Sequence, residues 1–404
     1  MFAEKRLGRF ARRFMQATPI PLRLQLWSGQ AFDLGPSPAI TIRVRAPEAI
    51  RAFLAPDFSK LGEAFVREQI DVQGPINEVI ALADALVHGT RKRVAHWSRL
   101  RRAAIHTRRQ DARAIEYHYD VSNAFYQLWL DRNMAYSCAY YRDAGDTLDQ
   151  AQEQKFEHIC RKLMLRAGER LLDIGCGWGG LIMHAASKHH VQALGITLSR
   201  NQFELARERI ARAGLGDRCR VELLDYRDLP ETQKFDKIAS VGMFEHVGLS
   251  KLPLYFGKIA RLLADDGLVM NHGITTMDPK SRAVGMGAGD FIDRYIFPHG
   301  EVPHLSLAVR AMSEQNLEAI DIESLRFHYA KTLTAWAERL EAAQEDARRL
   351  VGEMRYRTWL VYLAGCAHAF AQGWVSIHQI VAAKSDRRGM APVSWTRSHV
   401  YGRP

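Results

Sequence analysis

The densest chemical signal in the chain is Leu171–Gly180, reading L-L-D-I-G-C-G-W-G-G. A strand ending at Asp173 runs into a glycine turn that opens a helix. Gly175 and Gly177 let a ligand approach the backbone, and the helix N-terminus favours a negative group. Gly175, Gly177 and Gly180 also satisfy the G-x-G-x-x-G of dinucleotide-binding folds. A nicotinamide cofactor would need an acid at the end of the next strand to hold its ribose. That strand ends Gly195-Ile196-Thr197-Leu198, with no acid. Gln202 follows three residues after Ser199, at the start of a helix. It can complete a capping box with Ser199, or it can take a ribose hydroxyl; the position suits both.

Other residues that could do chemistry are scattered. Glu245 and His246 follow the fourth strand of the same region, His272 lies in the fifth, and Tyr329 lies further on. By residue type alone each reads first as a loop or core residue and only second as a catalytic one. Cys366 sits in A364-G-C-A-H-A-F, on a helix of small and apolar residues, where packing is the simplest account. The five cysteines form no C-x-x-C, so neither a metal site nor a disulfide framework is expected, and a reduced, cytoplasmic setting fits.

The elements that must position these residues alternate. Strands are expected at Arg170–Ile174, Val191–Thr197, Cys219–Asp225, Phe235–Val241 and Leu268–Ile274, with helices at 179–188, 201–212 and 251–263. This rhythm predicts a parallel sheet with helices on both faces. Then it breaks. Long amphipathic helices are expected over Thr332–Leu350 and Glu353–Ala371, as an insertion before a closing strand near Val375–Val381. Residues 1–88 read as a small α+β domain, with strands at Leu22–Trp27 and Ile40–Val44 and a helix ending near Val87. Residues 89–115 read as a basic linker, and 116–404 as the catalytic domain. Phe2, Leu7, Phe10 and Phe14 give the first 20 residues a basic amphipathic pattern, either a solvated helix or a membrane-surface one.

Lys plus Arg number 56 against 45 acids in 404 residues, a formal charge of +11. An anionic partner is implied, and charge alone does not choose between nucleic acid, membrane and acidic substrate. No apolar run is long enough to cross a bilayer, so any membrane contact is expected to be peripheral.

Seven motifs occur in order: Y117-H-Y-D-V-S-N-A-F-Y, M134-A-Y-S-C-A-Y-Y, L171-L-D-I-G-C-G-W-G-G, G195-I-T-L-S-R-N-Q, D225-Y-R-D, S240-V-G-M-F-E-H-V-G and R294-Y-I-F-P-H-G-E-V-P. Together they closely resemble the cyclopropane-fatty-acyl-phospholipid synthases and the related mycolic acid cyclopropane synthases, from about Glu116 to Val381. L61-G-E-A-F-V-R-E-Q-I-D-V-Q-G resembles, more weakly, the small N-terminal domain of the phospholipid enzymes.

The resemblance implies a class I S-adenosylmethionine-dependent methyltransferase fold, Rossmann-like, with inserted helices. It implies an enzyme that adds a methylene bridge across the cis double bond of an unsaturated fatty acyl chain in a membrane phospholipid. Cofactor contacts carry over to Tyr136, Ser137, Asp173 (at the methionine end), Gly175, Cys176, Gly177, Gly179, Thr197, Leu198, Gln202, Tyr226 and Arg227. The family's base is a bound bicarbonate. Its ligands carry over to the side chains of Glu245, His272 and Tyr329 and the backbone amides of Cys138 and Ile274. Cys366 matches a cysteine sometimes proposed as catalytic, although a thiolate has no obvious role against an electron-rich alkene. Phe291, Tyr295 and Phe297 are candidate walls of an acyl pocket or core residues, and G285-M-G-A-G a lid segment or a loop. In His272-Gly273-Ile274 the glycine stands where relatives often carry a bulkier residue.

The partners implied are an unsaturated phospholipid and an anionic membrane surface on the cytoplasmic side, with homodimer contact open for the N-terminal domain. Nucleic acid is not expected, because G242-M-F-E-H-V-G stands where base-methylating enzymes commonly carry an N-P-P-Y-like run. A product that is methyl-branched, a small-molecule amine as substrate, and a lipid-carrier module without activity are the alternatives.

Overall fold

The computed structural model describes residues 2–17, 19–90, 121–282, 284–285, 287–297, 300–384 and 394–402. The expected basic linker, beyond its first two residues, and Y117-H-Y-D lie outside the described residues. By compactness the chain divides into two units: residues 1–101, 282–298 and 333–372, and residues 102–281, 299–332 and 373–404. Two pieces of the span expected as catalytic, 282–298 and 333–372, therefore group with the N-terminal segment.

In the first unit, β1 (Leu22–Leu26), β2 (Ala31–Asp33), β3 (Ile40–Val44) and β4 (Ile70–Gln73) form a sheet in the order β2-β1-β3-β4. Leu22, Leu24 and Leu26 point inward while Arg23 points out, the period-two alternation that makes this segment a strand. The N-terminal helix Phe2–Ala17 buries Leu7, Ala11 and Phe14. Phe32 of β2 lies against Gly8 of this helix. Leu7, Ala11 and Phe14 of the expected apolar face are thus packed on protein, while Arg6, Arg9 and Arg12 are exposed. Arg357, in the helix Glu353–Ala371, fastens the insertion to the N-terminal segment. It donates to the carbonyls of Phe65 and Ile70 at 3.1 and 3.0 Å and to Asp71 Oδ1 at 2.7 Å. Ala288 and Gly289, read as part of a lid or loop, open the helix Ala288–Tyr295, which brings Phe291 against Gly62.

In the second unit, β5 (Arg170–Ile174), β6 (Gln192–Thr197), β7 (Cys219–Leu223), β8 (Phe235–Val241), β9 (Leu263–Thr276), β10 (Leu317–Ser324) and β11 (Val375–Lys384) form a sheet in the order β10-β11-β9-β8-β5-β6-β7. The five strands from β9 to β7 are parallel, as expected. β11 runs antiparallel to β9, and β10 antiparallel to β11, so the sheet is mixed rather than wholly parallel. Successive residues supply opposite faces. Leu171 and Met270 join one apolar core, and Leu172 and Val269 join the other.

The single helix expected over Thr332–Leu350 is instead Arg326–Ala342 followed by Gln344–Val351. The earlier start places Tyr329 in the first turns of a helix. A helix not read from the sequence, Leu148–Lys162, begins with a full capping box between Thr147 and Gln150.

Candidate active site

The turn after β5 is built for close approach. Gly175 has φ +82°, and a Cβ there would lie 3.3 Å from Met243 Cβ. The amides of Gly175 and Cys176 both donate to the Ile196 carbonyl at 3.0 Å, which ties the turn to β6. A cavity opens here at the C-terminal ends of β5, β6 and β8. Of the residues expected to touch the cofactor, all line this cavity except Gly179 and Arg227. Gly179 sits behind it as the left-handed N-cap of the helix Gly180–Lys188. Arg227 forks onto Asp225, with Nε 2.9 Å from Oδ1 and Nη2 2.6 Å from Oδ2. The capping box expected at Ser199 is half formed, because the Ser199 amide donates to Thr197 Oγ1 at 3.1 Å and not to Gln202. Ser199 caps the helix by accepting from the Gln202 amide, and the Gln202 side chain accepts from Thr197 Oγ1 at 2.8 Å while facing the cavity.

Asp173 is 2 % exposed, and its Oδ1 has no hydrogen-bond partner. Burial pushes its pKa up to about 7, partly opposed by the charge on Lys155. Lys155, which the sequence reading missed, is fully enclosed, lines the same cavity and donates to Ser137 Oγ at 2.8 Å. Burial pulls its pKa down to about 8. Trp178 and Asn123 were also unread; the indole donates to Asn123 Oδ1 at 2.8 Å and so braces the wall.

None of the five residues expected to hold bicarbonate lines this cavity: Glu245 follows β8, His272 and Ile274 lie on β9, Tyr329 lies on a helix, and Cys138 follows the cavity residue Ser137. Glu245, in a short helical turn after β8, accepts from the Ile274 amide at 2.6 Å. That amide, expected to donate to the ion, is thus engaged by the carboxylate in this structure. Glu245 Oε2 is buried without a partner, and burial pushes the pKa up to about 7. His272 on β9 is 1 % exposed; its Nδ1 lies 3.2 Å from the amide Nε2 of Gln379 on β11, a donor, and its own Nε2 is unpartnered. Burial holds its pKa well below the usual value, so the ring is neutral.

A chain of contacts links these residues to the other two. Ile274 pairs with Ile377 across the sheet, and the Leu325 amide donates to the Ile377 carbonyl at 2.9 Å. The Cys138 thiol reaches the Leu325 carbonyl at 3.8 Å, and the Tyr329 amide donates to the same carbonyl at 3.0 Å. The Cys138 amide donates to no protein group among the described residues. Tyr329 is buried. Gly273, between His272 and Ile274, packs under Phe244; a Cβ there would lie 1.9 Å from Cε1 of that ring.

Cys366 falls in the other unit, on the helix Glu353–Ala371, where burial pushes its thiol up to about 12. Phe291, Tyr295 and Phe297 fall there too; Phe291 packs on Tyr295, and Phe297 on Tyr362. Cys160, His184 and His189 cluster outside the cavity lining, with His184 against the cavity residue Phe156, and Glu157 accepts from both imidazoles at 3.2 and 3.0 Å. That carboxylate accounts for both rings.

A buried acid, a glycine cradle and orphaned polar atoms fit S-adenosylmethionine, whose charged methionine end needs such partners. The comparisons agree. The model of the mycolic acid cyclopropane synthetase family matches residues 106–380, and that of a domain of unknown function (DUF7884) matches residues 10–88. A probable fatty acid methyltransferase of Pseudomonas putida is 51% identical over 96% of this chain and 98% of its own. The cyclopropane-fatty-acyl-phospholipid synthase of Escherichia coli K12 is 38% identical over 68% of each chain. Among solved structures, the mycolic acid cyclopropane synthase CmaA1 complexed with SAH and CTAB superposes with a TM-score of 0.64, at 34% identity, over 67% of this chain and 97% of its own. The cradle, the mixed sheet and these likenesses converge: the chain belongs to the mycolic acid cyclopropane synthetase family and is a cyclopropane synthase-like, S-adenosylmethionine-dependent methyltransferase.

Proposed function

We propose that the chain adds a methylene bridge across the cis double bond of an unsaturated fatty acyl chain in a membrane phospholipid, with bicarbonate as the general base. The observation that carries this reading is the pair of buried, unpartnered atoms Glu245 Oε2 and His272 Nε2 near the end of the cofactor cavity's strands. The cofactor supplies an electrophilic methyl group. Attack by the alkene leaves a positive charge on the acyl chain, and the ring closes when the new methyl loses a proton. This chain's residues must exclude water from that cation and keep a proton acceptor beside it. Bicarbonate, when bound, supplies that acceptor. His272, neutral and buried, can donate from Nε2; the Cys138 amide has a proton to give; and Glu245, with a pKa of about 7, can take up a proton.

The charge of +11 supports peripheral action at an anionic membrane surface on the cytoplasmic side. No helix among the described residues is long and apolar enough to cross a membrane. We assign residues 1–88 to lipid, membrane or homodimer contact, and 89–115 to a linker.

The Pseudomonas relative is named a probable fatty acid methyltransferase, and that name also accommodates a second reading, a methyl-branched acyl chain, which is an alkene where the cation loses a proton from the chain instead of from the new methyl. One experiment tests both. The protein is incubated with vesicles of unsaturated phospholipid and S-adenosylmethionine, and the acyl chains are analysed by mass spectrometry before and after ozonolysis. Ring and branched alkene both gain one CH₂, but the ring resists ozone and the branched alkene is cleaved. Acyl chains of unchanged mass would refute the lipid reading.

A further inference from the structure

Lys155 is 2 % exposed, on the helix Leu148–Lys162, and lines the cofactor cavity. An ammonium buried this deeply needs partners of opposite charge or polarity. Two carboxylates are near. Asp131 is already engaged, its oxygens accepting from the amides of Asn133 and Ala135 at 2.8 and 2.7 Å. Asp173 is not: its Oδ1 is buried and unpartnered, and no ion pair within 4.0 Å joins it to Lys155. Lys155 makes one hydrogen bond, to Ser137 Oγ at 2.8 Å, and rests 4.5 Å over the Phe156 ring. A cation and an anion thus line one cavity without neutralising each other. That arrangement complements a zwitterion, with separate places for a carboxylate and an ammonium group.

We infer that Lys155, together with Ser137, binds the carboxylate of the cofactor's methionyl end, while Asp173 faces its ammonium group. The inference rests on the cofactor assignment above. It makes Lys155 a binding residue that selects an intact α-amino acid end, so that the charge it carries is used on the ligand and not on the fold.

The test is isothermal calorimetry on the full chain with two ligands, S-adenosylmethionine and its decarboxylated analogue. A charge-assisted hydrogen bond contributes enough to change affinity roughly 10–100-fold. Wild-type protein should prefer S-adenosylmethionine by about that factor. K155M should lose the preference by weakening the intact cofactor alone, and K155R should keep most of it. Equal weakening of both ligands by K155M would mark a structural role and overturn the inference, as would no weakening at all. Equal affinity of the wild type for the two ligands would overturn it even if K155M does not fold. Wild-type protein that binds neither ligand would instead remove the cofactor assignment, and the inference with it.

Discussion

Replacing Glu245 with Gln should stabilise the protein at alkaline pH while abolishing turnover. The carboxyl is held near pKa 7 by burial, against an ordinary value of 4.5. Below pH 4.5 the group is neutral in both folded and unfolded chains and imposes no penalty. Between 4.5 and about 7 the unfolded chain ionises first, so stability falls as pH rises; above about 7 both states are charged and the loss is complete. The separation of the two values corresponds to about 3 kcal/mol. An amide of the same shape does not titrate and can still accept from the Ile274 amide, the bond Glu245 now makes at 2.6 Å. Urea unfolding followed by circular dichroism at pH 5 and pH 8 reads the effect. Glu245→Gln should differ little from wild type at pH 5 and exceed it by up to about 3 kcal/mol at pH 8. A difference that does not grow with pH, or a wild type that is the more stable at pH 8, would refute the desolvated carboxyl. Loss of turnover with unchanged cofactor affinity in the same variant would support its place in proton removal.

Gly175→Val should abolish S-adenosylmethionine binding while the fold survives, because a branched side chain on this cavity-lining turn fills the approach to the ligand; calorimetry checks it. Gly273→Ala should destabilise by about 1–3 kcal/mol through overpacking on Phe244, read as a shift in urea midpoint. Cys366→Ala should leave turnover within about twofold, since a thiol with a pKa of about 12 is unionised at neutral pH; a larger loss would reopen a catalytic role. Binding to anionic vesicles, measured by co-sedimentation, should weaken as salt rises, and equal binding to neutral vesicles would remove its electrostatic part.

The cofactor strands were legible because their apolar runs are buried on both faces, a pattern that leaves little choice of element. β10 was not. Leu317–Ser324 reads L-E-A-I-D-I-E-S, and as an edge strand it buries little beyond Leu317, so its apolar signal is thin. The reversal of β11 was likewise hidden, since strand direction depends on connections that hydrophobic pattern does not encode. Tyr329 lies ahead of the helix expected from Thr332, because the true start at Arg326 carries charged and aromatic residues and no polar cap signal. Lys155 was passed over because lysine on an amphipathic helix normally faces water, and its burial comes from the segment Met134–Ser137 folding over it. Glu245, His272, Tyr329, Cys138 and Ile274 were named through family likeness; residue types alone did not single them out.

Gly273 and Phe244 constrain the order in which this site can change. With the Phe244 ring occupying the space where a Cβ would stand, a larger residue at 273 is costly when it comes first. A smaller residue at 244 can, at the cost of a cavity that a later side chain at 273 would fill. The easier route between this packing and one with a bulkier residue at 273 therefore runs through Phe244. A library that varies the two positions together will reach shapes that single-site scanning rejects.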